Sequence, residues 1–403
     1  MFDLASAAVG AALDAGALYA DARVVSIRSE GISCLNRDIE AVASSFTSGL
    51  GIRALIGGGW GFAAVAELTH RSVRLAGERA AAIARASAGV GRAGQHLTLA
   101  PVPVNQDSWQ AEMLEDPFAI GLSEKCDLLV AATGAMLEEP RVQLARASLS
   151  FHGVEKWLVS SEGHRIHQQI VHSGGGMDAT AIGEHETQRR SYPQAFGQYG
   201  SGGYEIVRSF DLVGNAPRIA AETAALLDAP ACPATTTDLV LESSQVALQI
   251  HESVGHAVEL DRILGWEAAF AGTSFLDLSR LGTLRYGSEL MNITADATLP
   301  GALGSFGYDD EGTPAQRVDI VRQGTWTGVL SGRDTAALAG LPPGGMVVGE
   351  GYAGLPMVRM TNVSLEPGSD RFDEMIAETD DGIYMSTNRS WSIDDKRLNF
   401  QFS

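Results

Sequence analysis

The sequence predicts an α+β fold: an N-terminal α/β region followed by a β-rich C-terminal domain that carries a helical H-E-x-x-x-H segment. Three observations predict it. Ala-rich helical segments alternate with β-patterned runs through residues 1–230. The segment Asp228-Ala-Pro-Ala-Cys-Pro233 then punctuates the chain more clearly than any other. Past it, residues 270–400 alternate short β-like runs with Gly and Pro turns, and 235–403 reads as one β-rich domain. The first region is long enough to divide into two subdomains near residue 105.

Taken in order, a helix over 3–16 leads into a strand over 21–29, and Ser29-Glu30-Gly31 reads as a turn. Strands over 32–36, 40–47 and 50–56 follow, separated by polar and glycine positions. Gly57-Gly58-Gly59 reads as a tight turn, since it lacks the G-K-[ST] of a phosphate loop and fits no G-x-G-x-x-G register. A helix over 71–88, a crossing segment over 95–108 and a helix over 121–138 come next. Four strands are predicted over 143–151, 155–161, 165–172 and 177–184, with a turn at Ser161-Glu162-Gly163. His164, His167, His172 and His185 fall among them without coordinated spacing. The Gly-rich stretch 195–203 reads as a connector, and a helix over 215–228 closes the region. In the C-terminal domain, a strand over 237–241 precedes the motif helix, and β-like runs lie at 317–322, 326–330 and 357–365.

Composition narrows the function classes. A net charge of -20 argues against nucleic acid, whose phosphates need a basic footprint. Only Lys125, Lys156 and Lys396 among the 29 basic residues are lysines, a bias that carries no functional signal. Cys34, Cys126 and Cys232 are an odd, scattered set and build no disulfide framework, which suits a reducing, cytoplasmic setting. Residues 1–18 have no basic n-region, and their two aspartates make them too polar to span a bilayer. An opening helix fits them better than a signal peptide or an anchor.

Chemistry concentrates in His251-Glu252-Ser253-Val254-Gly255-His256. Neutral imidazole is a good zinc ligand, and a neighbouring carboxylate can serve as general base. The histidines stand at i and i+5, about 140° apart on an ideal helix, rather than at the i and i+4 of H-E-x-x-H. Convergence on one ion requires a locally widened helix, and Gly255 is where a π-bulge is easiest. From spacing alone, two polar side chains on a half-buried helix remain an equal reading. Val246, Ile250, Val254 and Val258 form one apolar ridge, leaving Glu252 and both histidines off it. Ser243 or Ser244 is a candidate N-cap and Gly265 a candidate stop. Glu259 and Asp261 can accept from an imidazole N–H, or stand as solvated carboxylates at a helix end.

Here the sequence resembles the TldD/PmbA metallopeptidases, and specifically their TldD-like, metal-bearing branch. His251-Glu-Ser-Val-Gly-His256-Ala-Val-Glu259-Leu-Asp261 is close to that branch's H-E-x-x-x-H with a following acid. Tyr308-Asp-Asp-Glu-Gly-Thr-Pro-Ala-Gln-Arg317 resembles the family's D-D-E-G segment, and Leu355-Pro-Met-Val-Arg-Met-Thr-Asn362 its R-M-T-N strand. Asp381-Gly-Ile-Tyr384 and Asn388-Arg-Ser-Trp391 continue the match. Gly49-Leu-Gly-Ile-Arg53 and Gly59-Trp-Gly-Phe62 resemble glycine turns of the N-terminal domain. The resemblance runs along nearly the whole chain and is thinnest over 90–190.

The resemblance implies that His251 and His256 bind zinc, one ion per active subunit, with Glu252 as general base. It implies hydrolysis of peptide bonds in short or unfolded polypeptides, by a homodimer or a heterodimer with a TldE-like chain. It also implies a third ligand, a cysteine near the C-terminus. All three cysteines here precede the histidine motif, so no third ligand is carried over. A chain that continues past Ser403, a natural short form, or a ligand from elsewhere would each account for this. Two alternatives stay open: a catalytically weak or silent partner subunit, and a narrow amidase or dipeptidase in a biosynthetic pathway.

Overall fold

Three hydrophobic cores organise the chain, two against one large sheet and a third around the motif helix. A computed structural model describes residues 1–90, 97–195, 197–396 and 398–402. The N-terminal elements are α1 (Phe2–Asp14), β1 (Tyr19–Leu35), β2 (Asp38–Ile56), β3 (Gly59–Val65), α2 (His70–Val90), β4 (Gln106–Gln110), α3 (Leu122–Met136), β5 (Val142–Ser160), β6 (Arg165–Ile182), β7 (Thr187–Tyr192), β8 (Gln198–Ser201), α4 (Glu205–Ser209) and α5 (Leu212–Leu226). Their strands form one sheet in the order β3-β2-β1-β5-β6-β4, with β7 and β8 also pairing to β6. Only the β4–β6 pair is parallel within it. Ala5, Ala8 and Ala12 of α1 and Ala76, Ala80 and Ala84 of α2 pack small faces on β1 and β2. Leu129 and Met136 of α3 and Ala216 and Ile219 of α5 cover Leu149 and Phe151 of β5.

The strands are longer than the glycine punctuation predicts. The turn expected at Ser29-Glu30-Gly31 is absent: Gly31 lies inside β1, paired with Ala43 on one side and Ser150 on the other. The runs predicted at 40–47 and 50–56 are one strand, as are 143–151 with 155–161 and 165–172 with 177–184. The interior glycines mark close approach instead. A Cβ at Gly49 would overlap the Tyr352 ring, and one at Gly153 would sit 3.0 Å from Phe118 Cε2. True turns occur where φ is positive, at Gly57 (+56°), Gly58 (+82°) and Gly163 (+104°). Of the crossing segment over 95–108, residues 95 and 96 lie outside the described residues, as does Phe196 of the Gly-rich stretch. The remainder of that crossing segment ends in β4.

The C-terminal elements are β9 (Asp238–Leu241), α6 (Ser243–Ile250), a π-helical turn (His251–Gly255), α7 (Leu260–Ile263), β10 (Ile293–Asp296), β11 (Arg317–Arg322), β12 (Thr325–Trp326), α8 (Arg333–Ala339), β13 (Val347–Val348), β14 (Met357–Val358), β15 (Asn362–Leu365), α9 (Phe372–Glu378), β16 (Gly382–Met385), β17 (Trp391–Ile393) and β18 (Phe400–Phe402). A four-stranded sheet, β12-β11-β10-β15, packs with Val254, Val258, Trp326 and Leu330 in the third core. The single strand predicted over 357–365 is two short ones. Between them, Arg359, Met360 and Thr361 leave the ladder to bond or pack elsewhere. Of the run predicted over 326–330, only Trp326 belongs to a strand, β12; Leu330 forms an isolated bridge to Glu259, and the Trp326 indole donates to Gly328 O at 2.7 Å.

Buried charges join the C-terminal region to the large sheet. Asp310 accepts from Arg23 of β1 and Lys156 of β5, and from the Gly349 amide at 2.7 Å. Glu311 takes Arg53 of β2 at 3.2 Å and the Arg333 amide at 2.7 Å. Asp309 instead ties its own loop, accepting from the Glu311 and Thr313 amides at 2.9 Å each. Burial pushes the Glu311 carboxyl up to about 8 although Arg53 pulls it down. Burial also acts upward on Asp310, but Arg23 and Lys156 outweigh it and hold that carboxyl at about 2. Among the described residues, no helix is long and apolar enough to cross a membrane.

Candidate metal centre

Residues Ser243–Ile250 are helical for the reason the apolar ridge gives, with Val254 and Val258 continuing it into the third core. The N-cap is Glu242 rather than Ser243 or Ser244: its carboxylate accepts from the Ser244 amide at 3.1 Å. After Ile250 the helix widens, and the His256 amide donates to His251 O at 3.0 Å, an i to i+5 bond. That extra residue per turn turns both imidazoles to one side. Their ring centroids lie 4.7 Å apart and their planes stand at 88°. One donor atom from each of His251, Glu252 and His256 fits within 4.8 Å of the others.

The three side chains differ in burial. Glu252 is buried, His256 half-buried and His251 exposed. A carboxylate in a partly dry site beside one exposed and one half-buried imidazole suits a general base that meets substrate from one direction. His256 Nδ1 lies 3.0 Å from Glu259 Oε2, which directs its Nε2 toward the cluster. Glu259 is wholly buried and is clamped in turn by Arg262. Arg262 reaches toward Glu267 at 3.7 Å, and Glu267 Oε1 accepts from Arg359 at 2.7 Å. Asp261 does not touch an imidazole. It is 5% exposed, so the solvated reading of this acidic pair fails for both members. Burial and the hydrogen bond to Glu267 push Asp261 up to about 8. Burial acts upward on Glu267 too, but bonds from Asp261 and Arg359 hold it below the ordinary value.

Packing fixes the widened turn. A Cβ on Gly255 would overlap Met360 Sδ and approach its Cγ to 3.2 Å, so the thioether fills the place a side chain would take. Tyr286 OH donates to Ser253 O at 2.5 Å, and Ser274 Oγ to Ala257 O at 2.6 Å. The sequence flagged the histidines and Glu252 by their spacing together with the family resemblance, and Glu259 and Asp261 by their place just after the motif. Arg262 carried a faint signal, its i+3 offset from Glu259. Nothing local marks Tyr286 or Glu267, and Met360 stood out only as part of the R-M-T-N run; all three reach the site through tertiary structure.

The other candidates lie elsewhere. His164 is buried and accepts from the Asn105 amide at 3.2 Å. His167 stacks on Trp157 at 5.0 Å and bonds Glu155 at 2.9 Å. His172 is half-buried in β6, and His185 is exposed. Cys34 belongs to the first core beside Thr133, and Cys232 is exposed. No cysteine joins the histidine cluster among the described residues.

A histidine–glutamate–histidine turn of this kind brings together side chains that could hold a metal ion. Models of the PmbA/TldA metallopeptidase family match the chain in three parts: domain 1 over 20–84, the central domain over 115–227 and the C-terminal domain over 234–403. The chain belongs to this family. It is similar to a metalloprotease of Methanocaldococcus jannaschii, with 28% identity over 96% of this chain and 81% of that one. A protein of Saccharolobus solfataricus named as a zinc metalloprotease TldD homolog is 27% identical over 36% of this chain and 31% of its own length. Among solved structures, TldE of Thermococcus kodakarensis superposes with a TM-score of 0.73 at 15% identity, over 99% of this chain and 86% of that one, a likeness of fold.

Proposed function

We propose that this chain is a TldD-like zinc metallopeptidase that hydrolyses peptide bonds in short or unfolded polypeptides, working as a dimer with a second copy or a TldE-like chain. The observation that carries this reading is the convergence of His251, Glu252 and His256 within 4.8 Å on a π-widened turn. Two imidazoles and a nearby carboxylate are a donor set suited to zinc, and His251 and His256 are the residues that would hold it. Zinc, when bound, would polarise a carbonyl and acidify water. Glu252 takes the proton of the attacking water and returns it to the leaving amine. Glu259 orients His256, and Arg262 holds Glu259 in place.

A second reading is favoured by one observation: catalytic zinc sites normally hold three protein ligands, and here the described cluster offers two imidazoles and the carboxylate of Glu252. On that reading the chain is a catalytically weak or silent partner. Metal analysis and peptide hydrolysis decide between them. Wild type should carry zinc that the His251→Ala, His256→Ala double variant lacks, and Glu252→Gln should keep zinc but lose at least about a hundredfold in rate. Equal zinc in wild type and the double variant would end the metallopeptidase reading. Zinc and activity gained only with a partner chain would support the second.

A further inference from the structure

The Asn388-Arg389-Ser390-Trp391 motif has no part in the histidine cluster, yet it borders a cleft of about 480 Å³. That cleft lies between β7 and α5 of the N-terminal region and the chain that follows β16, and Arg189, Arg190, Leu226, Thr387, Asn388 and Arg389 line it. We propose that this cleft binds the C-terminal residue of a peptide substrate, its free carboxylate on Arg389 and its amide N–H on Asn388 Oδ1.

Four observations converge on that ligand. Arg189 is held by Asp178 through bonds of 2.8 and 3.0 Å, and Arg190 by Glu222 at 2.7 Å. Arg389 is exposed and has no carboxylate within ion-pair distance among the described residues, which leaves a cation for an incoming anion. Asn388 is 2% exposed, and its Oδ1 is buried with no hydrogen-bond partner. Buried acceptors are rarely left unmade, so a donor is missing here. Thr387 holds φ at +61°, a left-handed conformation that a β-branched residue rarely adopts, and thereby sets the backbone from which Asn388 and Arg389 project. A guanidinium for an anion beside an acceptor for an N–H matches –NH–CHR–COO⁻. A bare phosphate or sulfate offers no N–H to Asn388. Leu226 supplies an apolar wall for the terminal side chain.

The cleft is tied to the motif helix. Glu242, the cap of α6, accepts from the Thr387 backbone, and its own amide donates to Met385 O at 2.9 Å. His251 follows the eight residues of α6, roughly 12 Å along the axis. An extended peptide covers about 3.3–3.6 Å per residue, so a carboxylate anchored there leaves about three or four residues before the cluster. This inference rests on the peptidase reading for its consequence, release of short C-terminal fragments, but its test does not.

The test is fluorescence anisotropy on the full chain with chelator present, using an N-terminally fluorescein-labelled alanine octapeptide as free acid and as C-terminal amide. The amide should bind at least about tenfold more weakly than the acid. Arg389→Ala and Arg389→Glu, both at an exposed position, should bring the acid down to the level of the amide. Equal binding of acid and amide to wild type, no binding of either, or unchanged discrimination in both variants would overturn the proposal. Displacement by equimolar inorganic phosphate would also overturn it, by marking a general anion site. Discrimination in a chain that hydrolyses nothing would retire the peptidase reading and keep the subsite. Equal hydrolysis of acid and amide without discrimination in binding would do the reverse.

Discussion

Replacing Gly255 by alanine puts a methyl group where Met360 now packs. The added carbon would overlap Sδ and stand 3.2 Å from Cγ, inside the 3.5–4.0 Å optimum for carbon pairs, so either Met360 or the π turn must move. Met360 is anchored from behind by Arg359, which bonds Glu267 at 2.7 Å, and ahead by Asn362, whose Nδ2 donates to Asp296 O at 2.7 Å. The turn is held by Tyr286 and by the His256–Glu259 contact. Neither side yields freely, and overpacking of this kind costs about 1–3 kcal/mol. For a region the size of residues 234–403, that is a fall in Tm of roughly 3–9 °C. Met360→Ala in the same chain should restore part of the loss, since the new methyl then occupies the vacated space, with a coupling of about 1–2 kcal/mol. Thermal melts of the wild type, both single variants and the double variant measure this directly. Chelator competition with zinc on the same four proteins reports the geometry of the imidazoles, and Gly255→Ala should bind more weakly than the double variant. Additive losses in Tm, or an alanine at 255 that leaves both readouts unchanged, would show that Met360 does not set the widened turn.

Three further outcomes are expected. Glu259→Gln should lower zinc affinity by about 10–100-fold in chelator competition, because the carboxylate that orients His256 is replaced by a weaker acceptor. Asp310→Asn should destabilise the chain by about 3–5 kcal/mol in denaturant titration, as Arg23 and Lys156 lose a buried counter-charge. The folded-state pKa of Asp310 is depressed to about 2 from an ordinary 3.8. Its contribution is therefore present above about pH 4 and lost as pH falls toward 2, and the gap between wild type and Asp310→Asn should close over that window.

The sequence displayed those features of fold and site that depend on near neighbours. Helices α1, α2, α3 and α5 followed from composition and period, within a few residues at each end. The histidine motif and its need for a widened turn followed from an i, i+5 spacing that a regular helix cannot bring together. Glycine was the misleading letter. Gly31, Gly49, Gly153 and Gly174 look like breaks, yet each sits in a long strand; at Gly49, Gly153 and Gly174 another side chain fills the missing Cβ's place. Such distant requirements leave no local trace. The same holds for Met360 beneath Gly255 and for the Arg262–Glu267–Arg359 chain behind His256. Their partners are set by tertiary contact, and a residue's type alone does not name its neighbour.

The carboxylates of Asp310 and Glu311 act as keys cut to fit the large sheet. Each reaches across to guanidinium and ammonium groups on β1, β2 and β5 that have little water around them. Sliding one region past the other by even a single residue would strand several unmatched charges in a poorly solvated seam. The two regions therefore hold one alignment: Arg53 also pairs with Asp21 of its own sheet at 2.6 Å, but Arg23 and Lys156 meet their counter-charge in Asp310 across the seam. A peptide end held in the proposed subsite between β7 and the segment after β16 would meet walls whose spacing depends on that alignment. Selection at that subsite would then fall to the exposed rim, where side chains such as Arg389 can change without disturbing the alignment beneath.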